Sequence, residues 1–312
     1  MRCVKCGEKA VINMRQHKLA LCKDHFINWV PEQVGRTIKR YHMFSPEDRL
    51  LVAVSGGKDS LSLWDILIRL GYSVDGIYIN LGIDGHINYS VRSLEYTREF
   101  AQKRNLFLHV KDIQQEYGET IPEITTRTHR GRYKPCSVCG LIKRHEMNQL
   151  AINQGYAVLI TGHNLDDEAA ILFGNTINWE GSYLIRQGPV LEANRAGLVR
   201  KVKPLCRIYE REMAAYALLR GIDYIEDECP FAEGSTSIYH KELLNKLESD
   251  RPGAKLSFYL SFLQSKKNGL FSDAIDEHAE QIHACPQCGQ PTSAPGLCSF
   301  CRMFVVPGED KS

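Results

Sequence analysis

The chain has no uninterrupted apolar run near the roughly 18 residues that a membrane-spanning helix needs. Its opening residues, MRCVKCGEKA, hold neither the apolar stretch nor the cleavage site of a secretory signal. Both absences lead us to expect a cytoplasmic protein with no membrane partner. A charge imbalance is missing too: 39 Lys and Arg against 37 Asp and Glu leave a formal net charge of +2 and a pI near 8.0. That is too mild for a global polyanion binder, so any nucleic-acid surface must come from local clustering. No repeat of solenoid length occurs, which excludes stacked-repeat architectures. The Walker pattern GxxxxGK[ST] is absent, since it would need glycine at Val52 and Ser or Thr at Asp59, and the dinucleotide fingerprint fails as well.

Cysteine, in contrast, is abundant. Eleven occur in 312 residues, and ten fall into three tight constellations, which in a reducing compartment points to metal or sulfur chemistry rather than disulfides. With 43% apolar residues the chain can bury one good-sized α/β core and carry smaller appended modules.

From Leu50 to about Asp227, β-type runs alternate with helical runs, the pattern of a doubly wound parallel sheet. Short, mostly β-branched segments at Leu50–Val54, Val74–Leu81, Leu106–Val110, Ala157–Thr161 and Ile222–Ile225 are the expected strands. Ser60–Leu70 should be a buried helix stopped by Gly71, and Tyr209–Arg220 and Lys241–Leu247 also read as helical, with a polar break at Ser265–Gly269. The expected organisation is an N-terminal zinc finger (1–30), a connecting helix (31–49), a catalytic domain (50–230), a helical extension (231–280), a zinc ribbon (281–305) and a tail (306–312).

In LLVAVSGGKDS a buried strand runs into Ser55-Gly56-Gly57-Lys58-Asp59-Ser60 and then a helix. Two glycines let the backbone curl so that its N–H groups reach phosphate oxygens, and the helix N-terminus adds a positive dipole end. Lys58 supplies a point charge and Ser60 a hydroxyl. Asp59 belongs in an anion site only where a divalent cation bridges it to the phosphates, so it is a candidate Mg²⁺ contact. A second loop, Gly162-His163-Asn164-Leu165-Asp166-Asp167-Glu168, follows the expected strand Ala157–Thr161 and opens a helix. On an open parallel sheet both loops lie beyond the carboxyl ends of strands, where ligands bind. The three acids can equally be first-turn helix acids, the preferred reading for Glu168, and His163 stands behind the site.

Cys136-x2-Cys139 precedes a helix carrying Lys143 and Arg144, and Cys229 follows the last expected strand. Three cysteines cannot close a structural zinc site. They can hold a [4Fe-4S] cluster with one iron lacking a protein ligand; a persulfide with a resolving cysteine is the rival reading. Cys206 stands alone and reads as core packing. At the termini, Cys3-x2-Cys6 with Cys22-x2-His25, and Cys285-x2-Cys288 with Cys298-x2-Cys301, have the spacing of tetrahedral Zn²⁺ sites. Both are closed ligand sets and therefore structural. Basic residues gather at Arg127, Arg130, Arg132 and Lys134, interleaved with His129 and Tyr133, and at Arg195, Arg200, Lys201, Lys203 and Arg207. Such runs suit RNA phosphate contact and base stacking, or are solvated surface.

Two terminal zinc modules, SGGKDS, PCxxCG with LIKR after it, GHNLDDE and ECP, in this order over residues 1 to 305, resemble the TtuA-type tRNA 2-thiouridine sulfurtransferases of the PP-loop ATP pyrophosphatase superfamily. The resemblance implies ATP and Mg²⁺ at the loop, Lys143 near the phosphates, and Gly162 and Asp167 as ATP or metal contacts. It places adenine beside Ala53, Ile79 and Asn80, and an oxygen-sensitive cluster on Cys136, Cys139 and Cys229. It implies thiolation of the T-loop 5-methyluridine at position 54 after adenylation of its C2 oxygen, a ubiquitin-like carrier thiocarboxylate as sulfur donor, and a homodimer. Wobble-uridine thiolation at position 34 and a non-catalytic, zinc-dependent tRNA-binding subunit are the alternatives.

Overall fold

A computed structural model describes residues 1–193, 197–232, 235–271 and 282–304, apart from the side chains of His86 and Arg130. The expected tail lies outside the described residues.

The chain opens with a hairpin of β1 (Ile12–Met14) and β2 (Leu19–Leu21), followed by α1 (Lys23–Arg40). This helix starts straight after Cys22 and carries His25, Trp29 and Val34 without a break, so the expected boundary at residue 30 falls inside one helix. Next come β3 (Leu50–Ala53), α2 (Lys58–Arg69), β4 (Val74–Asn80), α3 (Tyr89–Lys103) and β5 (Leu108–Asp112). Three short helices, α4 (Ile113–Tyr117), α5 (Ile121–Arg127) and α6 (His129–Tyr133), lead to the long α7 (Pro135–Asn153). Beyond it lie β6 (Val158–Thr161), α8 (Leu165–Ile177), α9 (Gly181–Arg186), β7 (Val190–Leu191), β8 (Arg200–Val202) and α10 (Glu210–Arg220). The extension is α11 (Thr236–Asp250) and α12 (Ala254–Lys267), and the last module pairs β9 (His283–Ala284) with β10 (Pro291–Thr292). The polar segment expected to break the chain at Ser265 is still helical there; the helix ends at Lys267 before Asn268 and Gly269.

The sheet order is β5-β4-β3-β6-β8-β7, parallel except for β7. Alternation decides which side each residue serves. Leu50, Val52, Val54, Val158 and Ile160 join one core with α1, α2 and α10, while Leu51, Ile77, Ile79 and Leu159 join a second core with α5, α7 and the C-terminal module. The sheet is therefore covered on both faces. α2 ends in a Schellman turn: Tyr72 N–H reaches Leu67 O at 3.1 Å and Gly71 N–H reaches Ile68 O at 2.9 Å, with Gly71 at φ +87°.

One expected strand is corrected. Ile222–Ile225 is not part of the sheet, although both isoleucines are buried. It crosses the end of β3, where Ile225 N–H donates to Gly56 O at 2.9 Å. The strand that pairs with β6 on the side away from β3 is Arg200–Val202 instead, whose charged residues carry no strand-like apolar pattern.

Sequential strands step outward from β3 through β4 to β5, and the chain then returns to the far side of β3 at β6. This reversal between β3 and β6 is a topological switch point, which opens a crevice at the strands' carboxyl ends.

Candidate functional site

Both motif loops border that crevice. Gly56 sits at φ +76°, and a Cβ there would lie 2.4 Å from Ser93 O, so only glycine fits the turn. Ser60 Oγ accepts from Ser55 N–H at 3.1 Å and donates to Gly57 O at 3.1 Å, closing the loop on itself. A Cβ on Gly162 would stand 3.1 Å from the Ser60 backbone, which shows how closely the two loops pass. Asn164 Nδ2 donates to Asp59 Oδ1 at 3.2 Å and ties them together.

Between and above them lies a cavity of about 550 Å³. Ala53, Ser55, Gly57, Asp59, Ser60 and Ile79 form one wall, and Gly162, His163 and Lys201 a second. Cys136, Cys139 and Lys143 from α7, with Cys229 from the loop after α10, complete it. Asn80, expected on the adenine floor, instead donates to Asp112 Oδ2 at 2.7 Å and accepts from Gly82 N–H. Residues not foreseen from the sequence also line the cavity, among them Tyr89, Met147 and Phe231.

The charges follow a chain that sequence reasoning missed. Lys58 Nζ lies 3.1 Å from Asp59 Oδ2 and 2.8 Å from Glu210 Oε1. Lys241 Nζ, on α11, lies 3.1 Å from Glu210 Oε2 and 2.6 Å from Asp167 Oδ1. Two lysines thus serve three carboxylates. Asp167 also closes a capping box with Asn164 through its other oxygen, at 3.0 Å, so it fixes the start of α8. Burial raises the pKa of Asp59, and Asp167 pushes it the same way, against the pull of Lys58. A divalent cation between these carboxylates would relieve that repulsion.

His163 is held neutral. Burial first, then the Lys203 charge, depress it to about 4, and its Nδ1 lies 2.9 Å from Thr161 Oγ1. Lys201 is pushed down to about 8 by burial and by Lys203 and Arg144. The wall it belongs to favours anions.

Asp166 and Glu168 serve the fold: Asp166 pairs with Lys255, and Glu168, fully buried, pairs with Lys203 at 2.7 Å. Lys203 is therefore engaged inside the protein. Arg127 is held by Glu119 at 2.7 Å, and Arg200 donates to His42 O at 2.6 Å. Arg132, Tyr133 and Lys134 are exposed next to Cys136. Arg195 lies outside the described residues.

The cysteines divide into two kinds. Cys3, Cys6, Cys22 and His25 form one tetrad, and Cys285, Cys288, Cys298 and Cys301 another, with all ligand atoms of each within 4.8 Å of one another. These donor sets fit Zn²⁺. Cys136, Cys139 and Cys229 do not form such a group, but each lines the cavity, and Cys229 raises the pKa of both Cys136 and Cys139. Burial pushes Cys139 up to about 12, with Lys143 opposing. Cys136 Sγ donates to Phe231 O at 3.1 Å. Three soft donors on one wall, spread too widely for one ion, fit a cluster. Cys206 is buried in the core, as expected of a lone cysteine.

Among the described residues no helix is long and apolar enough to cross a membrane. Residues 30–233 match the PP-loop domain family, and residues 2–27 match the 2-thiouridine synthetase TtuA, N-terminal LIM domain. The tRNA-5-methyluridine(54) 2-sulfurtransferase of Thermus thermophilus is 48% identical over 97% of this chain and 91% of its own length. That of Pyrococcus horikoshii is 41% identical over 99% and 95%. The solved U34-tRNA thiolase NcsA from Methanococcus maripaludis, with its [4Fe-4S] cluster, superposes with a TM-score of 0.79 at 26% identity, covering 97% of this chain and 95% of that one. With two loops at the switch point, three cysteines on the cavity wall and this similarity along nearly the whole chain, the protein belongs to the TtuA-type tRNA 2-thiouridine sulfurtransferases of the PP-loop family.

Proposed function

We propose that the protein uses ATP to replace the C2 oxygen of a tRNA uridine with sulfur, acting on the T-loop 5-methyluridine at position 54. The observation that carries this reading is that one cavity holds both the phosphate loop and the cysteine trio.

The uracil C2 oxygen attacks the α-phosphate of ATP, the bond to pyrophosphate breaks, and pyrophosphate leaves toward Ser55–Ser60. The loop's N–H groups and Lys58 stabilise the developing charge, and Lys143 does the same from α7. Sulfur at the sulfide level then adds to C2, and AMP departs with the former C2 oxygen. Adenylation has made a poor leaving group into a good one. Cys136, Cys139 and Cys229 would hold a [4Fe-4S] cluster, which would supply an iron to carry the sulfur atom. Asp59 and Asp167 would hold Mg²⁺, which screens the phosphates. The two tetrads would hold structural Zn²⁺. A ubiquitin-like thiocarboxylate donor, a homodimer and a cytoplasmic setting accompany this reading, on the strength of the family resemblance.

Position 34 is the second reading, favoured by the superposition on NcsA. The higher identity to the position-54 enzymes favours 54. Anaerobic incubation with tRNA, ATP and sulfide, then mass spectrometry of mapped oligonucleotides, decides between them. Thiolation in the T-loop supports the proposal, thiolation in the anticodon supports the second reading, and no thiolation contradicts both.

A further inference from the structure

Away from the cleft, a second cavity of about 590 Å³ lies between α1, the segment before α10, and α12. Its floor is His17, Trp29 and Leu256, and its rim is Arg36, Lys39, Arg40 and Arg207. Arg36, Lys39 and Arg40 are exposed and recur at i, i+3 and i+4, so they stand on one face of the last turns of α1. Among the described residues, none of the four cations has a carboxylate within ion-pair distance, whereas Lys58, Lys203, Arg220, Lys241 and Lys255 each have one. In a chain of net charge +2, four unpaired cations around one groove are a local concentration that the fold itself does not use.

The groove adjoins the nucleotide loops. Ile208 O, on its wall, accepts from Leu165 N–H at 2.9 Å, and Glu210 N–H donates to Asp166 Oδ2 at 2.8 Å. One strip of chain, Arg207 to Glu210, therefore separates it from the GHNLDDE loop. We propose that this groove is a docking site for RNA backbone phosphates, which anchors the tRNA while a distant nucleotide enters the cleft. The proposal rests on the tRNA reading above. A row of cations spread along a helix face suits successive phosphates better than one compact anion, and the absence of an exposed aromatic surface suits backbone contact rather than base readout. Trp29 is buried and acts as floor.

The test compares wild type with Arg36→Gln/Arg40→Gln and with Arg36→Glu/Arg40→Glu/Arg207→Glu. Binding of a fluorescent tRNA transcript is measured by anisotropy across a salt series, and ATP binding is measured in parallel. The triple variant should bind tRNA at least about tenfold more weakly, and the salt slope should fall by about 1 per phosphate-contacting residue removed. ATP affinity should not change. Wild type that binds tRNA, with variants that retain both affinity and slope, overturns the groove alone. Variants that lose pyrophosphate binding but keep tRNA binding assign it to a small polyanion and overturn it too. Wild type that binds no tRNA overturns the functional reading, and the groove with it. Unaltered melting curves keep the comparison one of binding rather than folding.

Discussion

The terminal tetrads and the cysteine trio use the same side chain for opposite ends. In the tetrads every donor has its partners close by, such as Cys22 Sγ and His25 Nδ1 at 3.2 Å, and backbone N–H groups favour the thiolate. Burial raises Cys3 and Cys285, yet those N–H donors outweigh it and hold each at about 6, while Cys6 and Cys288 beside them are raised, so each tetrad offers one ready thiolate. Cys136 and Cys139 have few such donors, and burial prevails. The trio opens onto a cavity shared with the phosphate loop, whereas neither tetrad lines that cavity or the one beside α1. A closed ligand set stabilises a fold, and an open one leaves a place for chemistry.

The two kinds are also coupled. Phe300, between Cys298 and Cys301, stacks on His145 of α7 with ring centroids 3.5 Å apart and planes 3° apart. Gln290 Nε2 donates to His145 O at 2.9 Å. The C-terminal tetrad thereby braces the helix whose first two turns carry Cys136 and Cys139.

The largest expected effect separates activity from stability. Cys139→Ser should abolish thiolation while leaving the melting temperature nearly unchanged, checked by nucleoside mass spectrometry and calorimetry; retained thiolation would break the division. Cys298→Ser should do the reverse first, costing one zinc and several degrees of melting temperature. Its loss of iron incorporation should follow from the loosened α7, and normal iron content in that variant would show the bracing to be idle.

Much of this was legible in the sequence, and the exceptions share a physical cause. The phosphate loop, the tetrads and the central strands are local patterns, readable from spacing and alternation. The Lys58–Glu210–Lys241–Asp167 chain joins residues as far as 152 positions apart, and no local pattern announces it. Strand β8 was hidden because Arg200 and Lys201 lack an apolar pattern. Ile222–Ile225 has the β-branched apolar ends of a strand, but that pattern reports burial, which it has, and not sheet pairing, which it lacks.

Smaller effects sharpen the picture at the nucleotide end. Lys241→Met leaves Asp167 without its cation and should raise the apparent Kd for ATP about tenfold, read by equilibrium binding, with the cluster spectrum unchanged. Lys201 gives the smallest effect. Its pKa is lowered to about 8, so its charge is present below that pH and is lost above it. ATP affinity should therefore decline modestly as pH rises through about 8, and Lys201→Met should flatten that decline.

Metal and acid-labile sulfide analysis of anaerobically purified wild type and Cys229→Ser, with thiolation assayed on the same samples, tests the central claim most directly. We predict about four iron and two zinc per active wild-type chain, and in the variant unchanged zinc with iron and thiolation both lost. Iron-free wild type that still thiolates tRNA would contradict the account.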